Sequence, residues 1–414
     1  MRSILKTGIS LILLSNISNI LNYIQMIFIS RSLTKQDLSI FASVTATGNT
    51  LSSFLFVIPS IYVIAFNAKE LSDGREKAMV ISQLNTLVLS VSLFFFFLLS
   101  FFSIPISRFL NIESALPMFV YSFCLLNTLL LQIFVGHCQG LQKFNLVQVQ
   151  VLFLVVIKVI MTYIFFEIFG YDVYSVLYAE LIATVLSTLF LYMRLKPIIF
   201  AFDKSFSLIR GFVLKSTPVA INFFIVGSLL SSDLILAKYL FSPSLVADYS
   251  VSSNLGKIAF FVSGGVSGVV FAMIKGEVSQ WGSSLKILIL ASLASFLCGS
   301  VVILCSVIFP SEIIGLLFGE KFLSSAESFQ ILSFSMTILS VNVVIFGYLM
   351  AVNEYTYIKY TLVILLLYFV FAMSGMIDSP INLSLLVALM MLFLLFSNMF
   401  CLFKVFKGKS KKSI

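Results

Sequence analysis

The sequence is poor in the charged residues that cover a water-soluble surface. Of its 414 residues, 10% are charged and 60% are hydrophobic, whereas a typical soluble domain carries about 25% charged residues. A folded chain with this deficit leaves most of its exterior without polar cover. The composition therefore excludes a soluble globular protein and predicts a chain that folds in a lipid bilayer.

The chain also has few residues for metal, thiol or hydrolytic chemistry. It contains one histidine and five cysteines, and because the cysteines lie in or beside apolar runs no disulfide framework is predicted. His137 lies at the edge of a predicted cytoplasmic loop and is interpreted as a surface residue. The sequence contains no nucleotide-binding, serine-hydrolase or zinc-protease motif. We therefore expect a protein that is not an enzyme and holds no metal or cofactor. Any energy for its work would come from an H+ or Na+ gradient or from the gradient of its substrate.

Long apolar runs predict transmembrane helices. A spanning helix needs about 20 residues, and runs such as 84–102 are continuously apolar, without the alternation of a membrane barrel. The first run contains three asparagines and no small-residue cleavage site, so it is interpreted as a retained span rather than a signal peptide. The fold class predicted is an all-α polytopic membrane protein without a separate soluble domain. Twelve spans are predicted, at 8–30, 39–65, 83–104, 117–136, 147–168, 173–193, 217–238, 248–272, 286–309, 328–351, 359–378 and 381–403.

The basic residues predict the orientation of these spans. With both termini in the cytoplasm, 19 of the 26 lysines and arginines face that side and five face the other, while Lys158 and Lys257 fall within spans. This asymmetry is the pattern of a cytoplasmic-membrane protein with cytoplasmic termini. It also accounts for the net charge of +9, so no nucleic-acid partner is predicted.

The two halves of the chain resemble each other. At an offset of 207 residues Arg31 meets Lys238 and Ser43 meets Ser250, and at an offset of 211 GHCQGLQKF (from Gly136) meets GYLMAVNEY (from Gly347). The pattern predicts one six-helix bundle over 1–205 and a second over 206–414, which ends in a basic cytoplasmic tail. Because each half has an even number of spans, the halves would share one topology and be related by a pseudo-twofold axis along the membrane normal.

Polar residues recur on one face of four predicted spans. In a bilayer such side chains tend to face protein or a water-filled cavity, so the stripes predict a polar lining of a central cavity. Interhelical hydrogen bonding is the alternative for any one of them. The candidates are Asn19, Asn22 and Gln25 on the first span, Thr47 and Thr50 on the second, Asn222 on the seventh, and Ser250 and Asn254 on the eighth.

Four charged residues lie deepest in the predicted spans. Each costs about 3 kcal/mol at the bilayer centre unless it is paired or hydrated. Lys158 and Glu180 can meet across the fifth and sixth spans, and Asp233 and Lys257 across the seventh and eighth. Structural ion pairing and contact with a substrate or proton are both open interpretations of these pairs.

Three glycines of the eighth span, Gly264, Gly265 and Gly268, also allow two interpretations. Small residues at this spacing let helices pack closely. They would equally serve as a hinge in a moving helix.

Four segments carry a family resemblance that extends over essentially the whole chain. SRSLTKQDLSIF (30–41), GHCQGLQKFN (136–145), the stretch from STPVAINFF to SSNLGKI (216–258) and FPSEIIGLLFGEKF (309–322) are similar to the polysaccharide transporters of the oligosaccharidyl-lipid flippase group. This group includes the Wzx-type flippases of O-antigen and capsule repeat units, which are relatives of the multidrug and toxin extruders. Its motifs are loose patterns of residue type rather than catalytic signatures.

The resemblance implies a fold and a function. It implies twelve helices in two bundles, as in the extruders, in the inner membrane of a bacterium. It also implies movement of undecaprenyl-pyrophosphate-linked repeat units from the inner to the outer leaflet, for lipopolysaccharide or other polysaccharide biosynthesis. Partners would be this lipid-linked oligosaccharide, membrane lipids and other polysaccharide-assembly proteins. Lys257, with Lys158 as second choice, is then the candidate for the pyrophosphate, and the asparagines and Gln25 are candidates for sugar hydroxyls.

Three alternatives stay open. An ion-coupled extruder of drugs or organic cations would share the fold, with Asp233 and Glu180 as cation and proton sites. A membrane-embedded polysaccharide polymerase or ligase has a similar composition, but usually carries a long outer loop that this sequence lacks. The third alternative is an assembly protein of the cell envelope that transports nothing.

Overall fold

The computed structural model describes residues 2–68, 74–195, 200, 207–277 and 281–410. Within these ranges it describes side chains except at 2–13, 15, 16, 207, 208, 264–277, 281–284 and 408–410. All regular elements of the described chain are helices. The fold class predicted from the apolar runs, an all-α polytopic membrane protein, is confirmed.

The helices follow one another with short connections. In chain order they are α1 (Arg2–Ser32), α2 (Lys35–Ser53), α3 (Ile58–Asn67), α4 (Gly74–Phe101), α5 (Ser103–Phe109), α6 (Leu116–Gly140), α7 (Phe144–Phe169), α8 (Val173–Arg194), α9 (Ser207–Leu240), α10 (Pro243–Glu277), α11 (Trp281–Ile308), α12 (Pro310–Leu317), α13 (Ala326–Ala351), α14 (Thr356–Ala372) and α15 (Pro380–Ser410). Two 3-10 turns, Phe54–Val57 and Glu320–Ser325, lead into α3 and α13.

Each predicted span except the second coincides with one of these helices. In the described part of the chain, nine helical segments are long and apolar enough to cross a membrane. The remaining three predicted spans correspond to α1, α10 and the shorter apolar helix α14. The second predicted span is divided, because a 3-10 turn separates α2 from α3. Pro59 lies in the first turn of α3, where its missing N–H breaks no hydrogen bond.

The chain forms two compact units, Met1–Gly227 and Ser228–Ile414. They divide within α9, whereas the boundary predicted from the repeat, 205/206, precedes this helix. α9 therefore contributes its first part to unit 1 and its last part, with Asp233, to unit 2.

The helix order within the two units follows the internal repeat. α4, α5 and α8 begin 207 residues before α11, α12 and α15, at Gly74 and Trp281, Ser103 and Pro310, and Val173 and Pro380. The short helices α5 and α12 thus occupy the same place in each half, immediately after a long apolar helix.

The segments GHCQGLQKF and GYLMAVNEY form the same turn. Gln142 after α6 has φ 60° and Asn353 after α13 has φ 58°, both in the left-handed region. In the first turn the Lys143 N–H donates to the Cys138 carbonyl (2.7 Å), and in the second Glu354 donates to Leu349 (2.9 Å). The offset of 211 residues is therefore present in backbone hydrogen bonds as well as in sequence.

In unit 2, α10 packs closely against α13 at Gly256. A Cβ atom at Gly256 would lie 3.0 Å from the carbonyl carbon of Leu332 and 3.1 Å from its oxygen. Backbone atoms of a packed helix cannot move aside as a flexible side chain can. Glycine is therefore required here by the approach of two helices.

We expect Gly256→Val to destabilise the protein by about 1–3 kcal/mol, the usual cost of overpacking a tight site. Thermal unfolding in detergent micelles measures this change. Gly211→Val on α9 is the matched control, because nothing lies within 4 Å of its Cβ position. An unfolding midpoint as high for Gly256→Val as for wild type would contradict the close packing.

Candidate functional site

Asp233 and Lys257 form an ion pair between α9 and α10 in unit 2. The Lys257 Nζ lies 3.9 Å from Asp233 Oδ1. The Lys257 side chain is 10% exposed, and that of Asp233 is 1% exposed. Both residues are thus buried, and Lys257 keeps the larger exposed fraction of the two.

Two hydroxyl groups hold the carboxylate of Asp233 from the other side. Ser253 Oγ donates to Asp233 Oδ2 at 2.7 Å, and the Tyr249 OH donates to the same oxygen at 3.4 Å. Tyr368 on α14 lies within electrostatic range of Asp233. Oδ1 has no hydrogen-bond partner among the described residues, so the two carboxylate oxygens lie in different environments.

Lys158 and Glu180 form the second predicted pair, between α7 and α8 in unit 1. The Lys158 Nζ donates to Glu180 Oε1 at 3.1 Å, and the two side chains are 19% and 17% exposed. The two side chains are joined by a direct hydrogen bond, and they are about equally exposed. Its geometry is that of an interhelical tie.

The predicted lining residues of the first two spans divide by exposure. Asn22 is exposed, and Asn19, Thr47 and Thr50 are partly exposed. Gln25 is buried, and its amide donates to Thr162 Oγ1 on α7 at 3.1 Å. Gln25 therefore ties α1 to α7, which is the interhelical alternative stated for such residues.

The predicted lining residues of unit 2 and α9 divide in the same way. Asn254 is partly exposed and donates to the Ser250 carbonyl at 2.8 Å, while Asn222 is buried. Ser250 is fully buried and donates to the Ala247 carbonyl, so it packs inside the protein in this structure. The surroundings of Gly264, Gly265 and Gly268 lie outside the described residues.

The sequence interpretation of His137 needs correction. His137 is partly buried at the end of α6, with its Nε2 2.9 Å from Asn85 Oδ1, and the Tyr62 OH donates to the same oxygen at 2.6 Å. Gly136 and Gly140 lie against the rings of Tyr62 and Phe66. The histidine joins α6 to α4 and is not a surface residue. The predicted loop begins only after Gly140, because the helix continues past His137.

Sequence reasoning missed Tyr249, Ser253 and Tyr368. Tyr249 and Ser253 precede Lys257 by eight and four residues on α10, and this i, i+4, i+8 spacing was the signal that could have found them. Tyr368 lies on another helix, α14, and the sequence has no local signal for its placement near Asp233. Among the described residues, no group of three or more His, Cys, Asp or Glu side chains is placed to hold a metal ion.

The fold is that of known transporters. No family model and no curated protein matches the chain by sequence. A structure of the lipid II flippase MurJ matches with a TM-score of 0.75 and 14% identity, over 94% of this chain and 87% of that one. An inward-facing multidrug resistance MATE family transporter of the MOP superfamily matches with a TM-score of 0.75 and 12% identity, over 95% and 96%. A MOP superfamily transporter from Pyrococcus furiosus matches with 0.59 and 10%, over 96% and 94%. At these identities the likeness establishes the fold.

We expect Glu180→Gln to lower stability by about 1–3 kcal/mol, because it leaves the ammonium of Lys158 without its carboxylate in an apolar surrounding. The range lies below that of a fully buried pair because both side chains are partly exposed. Thermal unfolding in detergent micelles measures the loss.

The control is the double variant Lys158→Met/Glu180→Met, which removes both charges at once. It should recover at least half of the loss, as expected when two apolar side chains replace an ion pair. Equal stability of the single variant and wild type would contradict the structural role of the pair.

Proposed function

We propose that the protein is a flippase that moves an undecaprenyl-pyrophosphate-linked oligosaccharide from the inner to the outer leaflet of the bacterial cytoplasmic membrane. It would act by alternating access and as a transporter rather than an enzyme. The carried molecule would be a repeat unit of O-antigen, capsule or another surface polysaccharide. The fold, which is shared with a lipid II flippase and with MATE transporters, supports this class of function.

The Asp233–Lys257 pair, in which the lysine is the more exposed member, is the observation that carries the proposal. Both side chains are buried, but the Lys257 side chain keeps 10% of its surface exposed and that of Asp233 only 1%. An ammonium 3.9 Å from its carboxylate can also bind an anionic group such as a pyrophosphate, and ammonium–phosphate contacts are strong charge-assisted hydrogen bonds. The four deepest charges sum to zero, so the unequal exposure within this pair, and not a net positive charge, supports binding of an anion.

The sugar part of the substrate would contact amide side chains. Asn19, Asn22 and Asn254 keep exposed surface, and an amide can donate to and accept from sugar hydroxyls. Thr47 and Thr50 are partly exposed as well, but their hydroxyls donate to carbonyls of their own helix, at 2.8 and 3.0 Å. They offer only acceptor capacity.

An ion-coupled extruder of organic cations is the second candidate. The observation that favours it is Asp233 Oδ1, a buried carboxylate oxygen without a hydrogen-bond partner among the described residues. In that function Asp233 and Glu180 would bind the transported cation and the coupling ion, H+ or Na+, alternately. Lys257 counts against it, because its ammonium, 3.9 Å from Oδ1, repels a second cation at the same carboxylate.

We expect Lys257→Gln to reduce surface polysaccharide about 10- to 100-fold, the equivalent of one lost charge-assisted hydrogen bond. The measurement is surface polymer and cytoplasmic-side lipid-linked precursor in a deletion strain complemented with each variant at equal protein level. Precursor should accumulate as polymer falls. Lys238→Gln, which removes another buried lysine of unit 2, is the control and should restore the polymer. Normal polymer together with altered drug tolerance in the Lys257→Gln strain would favour the extruder.

The proposed orientation places both termini in the cytoplasm and has its own test. In a cysteine-free background, Lys321→Cys should react with a membrane-impermeant maleimide in intact cells, because Lys321 lies on the proposed outer side. Lys77→Cys should react only after the cells are made permeable. Labelling in the opposite order would reverse the orientation and the direction of transport.

A further inference from the structure

The ammonium of Lys257 lies close to Asp233 without a direct hydrogen bond. At 3.9 Å the Lys257 Nζ lies beyond the range of about 2.7–3.2 Å for an N–H···O hydrogen bond, whereas the Lys158 Nζ is 3.1 Å from Glu180. The two pairs therefore differ in kind. Lys158 and Glu180 in unit 1 are hydrogen-bonded to each other, whereas the ammonium of Lys257 in unit 2 makes no hydrogen bond to Asp233.

We propose that Lys257 exchanges its anionic partner during transport, from Asp233 in the empty protein to the phosphate groups of the substrate in the loaded protein. Asp233 is then a positioning residue that competes with the substrate for one ammonium. This inference rests on the proposed function and adds the step by which the anion is released.

The hydrogen bonds of Asp233 allow such an exchange. Its Oδ2 is held by Ser253 and Tyr249, and neither bond involves Lys257. When the ammonium leaves, these two bonds remain and α9 stays joined to α10. The carboxylate is thus kept in place to take the ammonium back.

The side chain of lysine suits the moving part. Its four-carbon stem is flexible, and its ammonium is a compact point charge that can turn toward a new partner. The Lys257 side chain is 10% exposed, whereas Asp233 at 1% has almost no contact with the surface. The longer and more exposed side chain therefore has more freedom to change partner than the carboxylate.

The exchange solves a problem of transport energetics. A carrier that binds its anion with an unopposed buried cation would hold it too tightly to release it. An internal carboxylate lowers the apparent affinity, because the anion must displace it first, and the same carboxylate favours release. Asp233 would thus set the affinity without touching the substrate.

The test measures binding of a polyprenyl pyrophosphate to the purified full-length protein in lipid nanodiscs, with the uncharged polyprenol as the reference ligand. In Asp233→Asn the internal competitor is neutral, so the apparent affinity for the pyrophosphate should rise about tenfold, within the usual range of coupling between two sites. Polyprenol binding should not change. Asp233→Ser is the second variant and should show the same direction, should Asp233→Asn fail to fold.

A double variant separates competition from a structural role. In a Lys257→Gln background, Asp233→Asn should no longer raise the affinity, because there is no ammonium left to compete for; such a loss of effect is the signature of direct coupling. Asp248→Asn removes another buried carboxylate on α10 and is the control, with an affinity equal to that of wild type.

The outcomes distinguish this inference from the proposed function. Wild-type protein that binds the pyrophosphate no better than polyprenol would overturn the proposed function. If wild type prefers the pyrophosphate but the Asp233 variants bind it equally or more weakly, the exchange is wrong and the flippase proposal stands. A gain in affinity that persists without Lys257 would also overturn the exchange.

Discussion

A lipid bilayer offers no water to buried polar groups, and this constraint governs the whole structure. Each polar side chain in a span must find its partner within the protein. Hydroxyl groups such as those of Thr47, Thr50 and Ser250 donate to carbonyls of their own helix, and the deep charges occur in pairs. Among the buried side-chain atoms of the described chain that lack a hydrogen bond, Asp233 Oδ1 is the only carboxylate oxygen.

The two ion pairs answer the same constraint in different ways. Lys158 and Glu180 satisfy each other directly, and the nearby bond from Gln25 to Thr162 adds a second tie between helices of unit 1. Asp233 instead takes its hydrogen bonds from hydroxyl groups and leaves the ammonium of Lys257 outside that set. The first arrangement suits a rigid scaffold, and the second suits a group that must change partners.

The sequence was sufficient for most of the fold, because the bilayer requires long apolar segments that are visible in composition alone. The repeat was also visible, since Arg31 and Lys238 lie at the same place in the two halves. What could not be predicted depends on the distance between helices. Sequence spacing placed Asp233 near Lys257, but it could not distinguish a separation of 3.9 Å from a direct hydrogen bond. It also could not predict that Tyr368, on another helix, lies near Asp233. His137 was misplaced for a related reason, since its partner Asn85 comes from another helix.

The shared turn after α6 and α13 bears on how such a chain arises. Gln142 and Asn353 keep one backbone conformation and one hydrogen-bond pattern, although few side chains around them are alike. If a duplicated gene is the origin of the two halves, the backbone conformation of this turn has changed less since the duplication than its side chains. Each copy was then free to specialise, and the two ion pairs lie at different places in the halves, on α7 and α8 in the first and on α9 and α10 in the second. Division of labour between duplicates, usually discussed for separate proteins, would here have taken place inside a single polypeptide.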